Sequence, residues 1–160
     1  MASQSRVLKL WQRLENRPGG HWLFTRLVCW QAPYFASIKP RVHVLEAGRC
    51  EVGIRKRRAL TNHIGSVHAI AMCNMAELAG GLMTDATVTP AYRWIPKGMT
   101  VEYRAIANTD LVARAYPPEA PAAEGDYVVG VDVHDRDHQV VLHADITMWL
   151  SQPKSGRTRT

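Results

Sequence analysis

Apolar positions along this chain recur first at helical spacing and later at a spacing of two. Val7, Leu8, Leu10, Trp11 and Leu14 share one helical face between Ser5 and Glu15, and "RPGG" stops the run. Residues 21–30 predict a second helix ending near Pro33, and "PYFASIKP" reads as a loop between two prolines. A strand-like run over residues 42–57 follows. In its second half Cys50, Val52 and Ile54 alternate with Glu51, Gly53 and Arg55, and "EAG" near Glu46 predicts a bulge or turn. From His68 to about Leu82 the chain is apolar nearly all round, which a helix tolerates when it is enclosed. Beyond it the period becomes two. Val101, Tyr103 and Ala105 form one face, and Tyr127, Val129, Val131 and Val133 another. A third runs through Val140, Leu142, Ala144, Ile146, Met148 and Leu150. "HDRD" joins the last two runs as a hairpin turn, and "YPPEAPAAEGD" is a surface loop.

The order is therefore one strand, one long helix, then several antiparallel strands. A helix of that length spans roughly 20 Å at about 1.5 Å per residue, the width of a small sheet. An α+β domain with its sheet curled around one buried helix satisfies both periodicities. We divide the chain into a helical extension over residues 1–40, acting as a lid or packing addition, the sheet-and-helix domain over 41–150, and a basic tail over 151–160.

Composition adds limits. A length of 160 residues, 46% apolar and 21% charged, suits one globular domain. No run approaches the roughly 20 apolar residues of a membrane span, and the N-terminus mixes charge with apolar residues unlike a secretory signal. Cys29, Cys50 and Cys73 are widely spaced with no CxxC pair, which predicts buried thiols in a reducing, cytoplasmic setting. The net charge of +6 invites nucleic acid, but much of the excess sits in "RKRR" and in the tail "PKSGRTRT". A local patch receiving a phosphorylated ligand fits that distribution equally well, as does a solvated strand end with a frayed tail.

The chemistry concentrates in "LTNHIGSVHAIAMCNMAELAGGLM". Carboxylates are rarely buried without a partner, so Glu77 in this run is either exposed or functional. Asn62, His68 and Glu77 form the pattern N-x5-H-x8-E, with Gly65 and Ser66 leading into the helix. Unpaired amides at a helix start carry positive potential and can hold an oxygen that gains charge. Glu77 lies about 13 Å along the helix from His68, so the two cannot serve one reacting carbonyl within one chain. His63 and His68 lack third and fourth partners at useful spacing, and no metal is assigned.

This segment resembles the active-site segment of hotdog-fold acyl-CoA thioesterases, in which N-x-x-G-x-x-H-G-G leads into a central helix bearing Asp or Glu. "HAIAMCNMAELAGGL" and "WIPKGMTVEY" are closer to a bacterial subgroup of hotdog domains of unassigned function. The resemblance covers most of residues 41–150, and the family's two glycines after His are replaced by Ala69 and Ile70. It implies that Glu77 is a general base or a nucleophile, that Asn62 and His68 orient substrate and water, and that the backbone N–H of Ala69, with Ile70 as a second donor, holds the oxyanion. It also implies a homodimer, with a dimer of dimers as the larger form, in which Glu77 of one chain completes the other chain's site. Gly65, Ser66, Ile70 and Asn74 would line the substrate, with Thr84 further along as a pocket residue or polar filler. Arg57, Arg58 and Lys97 would receive coenzyme A phosphates on the ground of charge alone. Coenzyme A or an acyl carrier protein would bear the acyl group, with no separate cofactor. Two alternatives stay open: a non-catalytic module for acyl-CoA or fatty acid, and an acyl thioester hydratase or dehydratase, whose Asp and His pair the sequence does not offer in that context.

Overall fold

The computed structural model describes residues 5–117 and 124–152. Two helices, α1 (Arg6–Leu14) and α2 (Gly20–Gln31), precede a hairpin of β1 (Arg41–Glu46) and β2 (Arg49–Ile54). Helix α3 (Ala69–Thr87) comes next, and then β3 (Arg93–Tyr103), β4 (Leu111–Tyr116), β5 (Gly125–His134) and β6 (Val140–Ser151). The six strands form one antiparallel sheet in the order β1-β2-β4-β5-β6-β3. One face of this sheet wraps α3: Val52, Ala113, Val131, Val133, Ala144 and Ile146 are all fully buried. Each large side chain enclosed there, such as Met75 or Met83 of α3, adds roughly 1.5–3 kcal/mol.

Several expectations change. "EAG" is a tight turn between two strands, so a hairpin, not one strand, precedes α3. The "PYFASI" loop is a 3₁₀ helix, Pro33–Ile38. Helix α3 runs on to Thr87, five residues past Leu82, because Thr84 and Thr87 donate their hydroxyls to the carbonyls of Gly80 and Met83 and so satisfy themselves inside the helix. Strand β3 begins at Arg93 and ends at Tyr103; Pro96 is tolerated because this is an edge strand and the register shifts between Pro96 and Gly98. Strand β4, ahead of the "YPPEAPAAEGD" loop, covers Leu111–Tyr116, a range that no strong alternation in the sequence delimits. The loop over 116–126 gives Tyr116 to β4 and Gly125 and Asp126 to β5, its middle lying outside the described residues. "PKSGRTRT" lies outside them too. Cys50 is buried, but Cys29 and Cys73 are only partly so, and all three are free thiols.

The first helices pack into the main core. Ser5 caps α1 by accepting from Leu8 N–H at 3.1 Å, and Leu8, Trp11 and Phe24 belong to the same buried cluster as the sheet. Thr25 of α2 donates to His21 O and accepts the Val42 N–H at 3.0 Å, so α2 satisfies and covers an otherwise open edge at β1. The opposite edge, β3, has eleven residues and, among the described residues, no strand beyond it. No described helix is long and apolar enough to cross a membrane.

Candidate active site

The loop before α3 is built by Asn62. Its Oδ1 accepts the N–H groups of Ile64 and Ser66 at 3.1 and 3.2 Å, and its Nδ2 donates to Ser66 Oγ at 2.8 Å. Gly65 supplies the left-handed residue of this turn, at φ +80. Ser66 is buried, so Asn62, Gly65 and Ser66 together hold the loop, and one Nδ2 hydrogen of Asn62 is left over. The loop delivers His68 to the N-cap, where its Nδ1 accepts the Ile70 N–H at 3.1 Å. That bond assigns the proton to Nε2, which faces outward as a donor on an exposed ring. With Ile70 N–H engaged, the Ala69 N–H is the amide at the helix start without an acceptor among the described residues. The Ile70 side chain is 56% exposed.

Glu77 stands on the one stripe of α3 that its own sheet leaves uncovered. Ile70, Cys73, Glu77 and Asp85 lie along it at helical spacing; apart from the two end residues, Ala69 and Thr87, which are also partly exposed, the rest of the helix is buried. Glu77 is half-buried and has no hydrogen-bond or ion-pair partner among the described residues. Edge strand β3 brackets it. Tyr103 Oη lies 3.8 Å from Cys73 Sγ on one side, and on the other Trp94 donates Nε1 to Asp85 Oδ1 at 3.3 Å. Burial raises the Asp85 carboxyl above its usual range, and the Trp94 bond opposes that shift in part. Asp85, Cys73, Trp94 and Tyr103 were not expected here; a helical wheel carried past Leu82 puts Asp85 on the stripe.

Other expected residues lie elsewhere. Asn74 is turned away from Glu77, buried and donating to Ser37 Oγ at 3.2 Å against the 3₁₀ helix. Thr84 is buried filler. Lys97 lies on β3 and is paired with Asp126 at 2.9 Å, whereas Arg57 donates to Ser37 O at 2.7 Å on the side of α2. Arg57 and Lys97 thus stand on different elements with different partners, and Arg58, exposed in a short 3₁₀ turn, lines no cleft with Arg57. An Asp–His pair does exist, Asp132 with His143 at 2.7 Å, but both project from the sheet face that α3 does not touch. At the "HDRD" tip Asp135 accepts the N–H groups of Asp137 and Gln139, so that acidic cluster is turn chemistry. Among the described residues no group of three or more His, Cys, Asp and Glu is gathered to hold a metal ion.

Comparison with solved structures finds the same architecture. The genomics target APC5556 is 44% identical, with 92% of this chain and 99% of that chain covered and a TM-score of 0.80. PA5026 of Pseudomonas aeruginosa, described as a protein of unknown function and probable thioesterase, is 24% identical over 79% of this chain and 92% of that chain, with a TM-score of 0.71. The thioesterase HI1161 of Haemophilus influenzae is 11% identical over 78% and 87% of the two chains, with a TM-score of 0.69. No curated protein matches the chain in sequence. A family model described as a domain of unknown function, DUF4442, matches residues 20–150, a span that takes in α2 as well as the sheet and α3. The chain belongs to the DUF4442 family, and its fold is the hotdog fold.

Proposed function

We propose that this protein hydrolyses an acyl thioester to a carboxylic acid and a free thiol. One observation carries the reading: Glu77 is a half-buried carboxylate with no partner among the described residues, on the uncovered stripe of an otherwise enclosed helix. An unpaired carboxylate in such a place is free to act as a base toward water or to attack a thioester carbonyl. The Ala69 N–H supplies the oxyanion donor and the His68 Nε2–H orients the carbonyl or the water. Asn62 shapes the loop that fixes both, and its spare amide hydrogen is the part of it that would meet substrate. A thiolate leaves readily, so little more is needed.

Ala69 and Glu77 are separated by about 12 Å along one helix. The free β3 edge, with Ile95 and Tyr103 exposed on it, supports a homodimer that pairs the two β3 strands and sets the helices side by side. Ala69 and His68 of one chain would then face Glu77 of the other. The thiol carrier is coenzyme A or an acyl carrier protein. The engagement of Asn62 within its own loop favours a second reading, a non-catalytic module that holds an acyl thioester in the same site. Thiol release from short, medium, long and aromatic acyl-CoAs, native against Glu77→Gln, separates the two. Hydrolysis that falls about a hundredfold or more in the folded variant supports the enzyme. Acyl-CoA binding without turnover in the native protein supports the module.

A further inference from the structure

We propose that the groove between α2, the 3₁₀ helix and the outer face of β1, β2 and β4 binds an organic anion carrying a diphosphate. The groove has a volume of about 730 Å³, within the ordinary range for a small-molecule site. Three separate segments bring five cations to it: Arg26 from α2, Lys39 and Arg41 at the start of β1, and Arg55 and Arg57 beyond β2. None of the five has a carboxylate within ion-pair distance among the described residues. Outside the groove Arg49, Arg104, Arg114 and Arg136 each reach one at 2.7–3.5 Å while others, such as Arg6 and Arg13, reach none among the described residues, so it is the convergence of five such cations on one groove that sets this place apart. The single carboxylate in the lining, Asp110, is already committed. Its Oδ2 accepts from Arg136 and its Oδ1 from the Lys56 N–H, both at 2.8 Å, and these bonds hold its carboxyl below the usual range.

Like charges converge at a cost that an anion removes, and arginines in fork geometry suit phosphate oxygens. His43, in the same lining, is held below its usual range first by burial and then by the charges of Arg41 and His21, with Glu51 opposing. Arg57 keeps a buried Nε without a partner. Five cations exceed what a single carboxylate would engage, which selects a ligand with several negative charges. The remaining walls are apolar: Ile38, Ile54 and Leu111 are buried, and Trp22 is 62% exposed with the Arg26 guanidinium 5.6 Å from its ring. They provide a surface for a ring or hydrocarbon body. A nucleoside diphosphate and the diphosphate of coenzyme A share this chemistry. The inference does not depend on Glu77 being catalytic.

The test is titration calorimetry of the full chain with ADP, with coenzyme A and with adenosine. Three forms are compared: native, Arg26→Glu/Arg55→Glu in the groove, and Arg6→Glu/Arg13→Glu on α1 as an equal change of charge outside it. Binding of ADP or coenzyme A that weakens at least tenfold in the groove variant, stays near native in the α1 variant and falls with salt supports the site. Binding of both ligands assigns the diphosphate of a nucleotide in general, and binding of coenzyme A alone assigns the carrier. Arg26 and Arg55 are exposed, and Arg26→Ala alone gives a smaller loss in the same direction. Failure of both ligands to bind, adenosine binding as well as ADP, or an equal loss in the α1 variant overturns the proposal.

Discussion

The indole of Trp94 lies over Gly81, so close that a Cβ at position 81 would stand 2.9 Å from the ring edge. This contact is what lets edge strand β3 approach the uncovered stripe of α3 and bring Trp94 Nε1 to Asp85. A glycine within a helix costs about 1 kcal/mol relative to alanine, so it is kept here for the approach of the ring. On an open helix Gly81→Ala would stabilise by about that amount. Here it forces Trp94 off Asp85, and we expect a loss of about 1–2 kcal/mol in urea unfolding. A raised melting temperature in Gly81→Ala would contradict the contact.

Asp85 gives a pH signature. Its folded pKa is raised, so the folded chain holds the proton more tightly than the unfolded chain does. The stability it contributes is present below the unfolded carboxylate range and is lost as pH rises through the raised value. Asp85→Asn keeps an oxygen acceptor for Trp94 and does not titrate. The difference in melting temperature, variant minus native, should therefore increase across that window and level off above it. A difference independent of pH would show that burial does not perturb this group.

Asn62 separates two roles by substitution. Asn62→Asp keeps the acceptor for Ile64 and Ser66, and the Ser66 hydroxyl can turn to donate to it. Asn62→Ala leaves the Ser66 N–H, in a buried residue, without its acceptor. We expect Asn62→Asp within about 1 kcal/mol of native and Asn62→Ala lower by about 1–3 kcal/mol in denaturant titration. Equal stability of the two variants would remove the loop-building role.

The enclosed helix was legible because residues 68–82 are apolar nearly all round, and β5 and β6 because their alternation is strong. Strand β4 was not. Leu111, Ala113 and Ala115 do alternate inward, but two alanines carry a faint hydrophobic signal beside Val112, Arg114 and Tyr116. The start of β3 was hidden by Pro96, which argues against a strand until its place at the sheet edge is known. In the site, the spacing of Asn62, His68 and Glu77 singled out one segment, which the structure folds as the loop before α3 and the helix itself. It did not reveal that Asn62 and Ser66 spend their bonds on the loop, or that Asn74 turns to Ser37, because a period of 3.6 says nothing about which partner a polar group finds. The "RKRR" run was visible as charge, whereas Arg26, Lys39 and Arg41 join Arg55 and Arg57 only through the packing of α2 on β1.

The proposed site draws Ala69 and His68 from one chain and Glu77 from the other, which makes it open to subunit mixing. Glu77→Gln removes the carboxylate, and His68→Asn removes the imidazole while keeping a good N-cap residue. Each alone should release little thiol from acyl-CoA. After exchange at equal amounts, half of the dimers are mixed and each of those holds one intact site, so activity should return to roughly a quarter of native. No recovery, with mixed dimers demonstrated by mass spectrometry, would contradict the shared site.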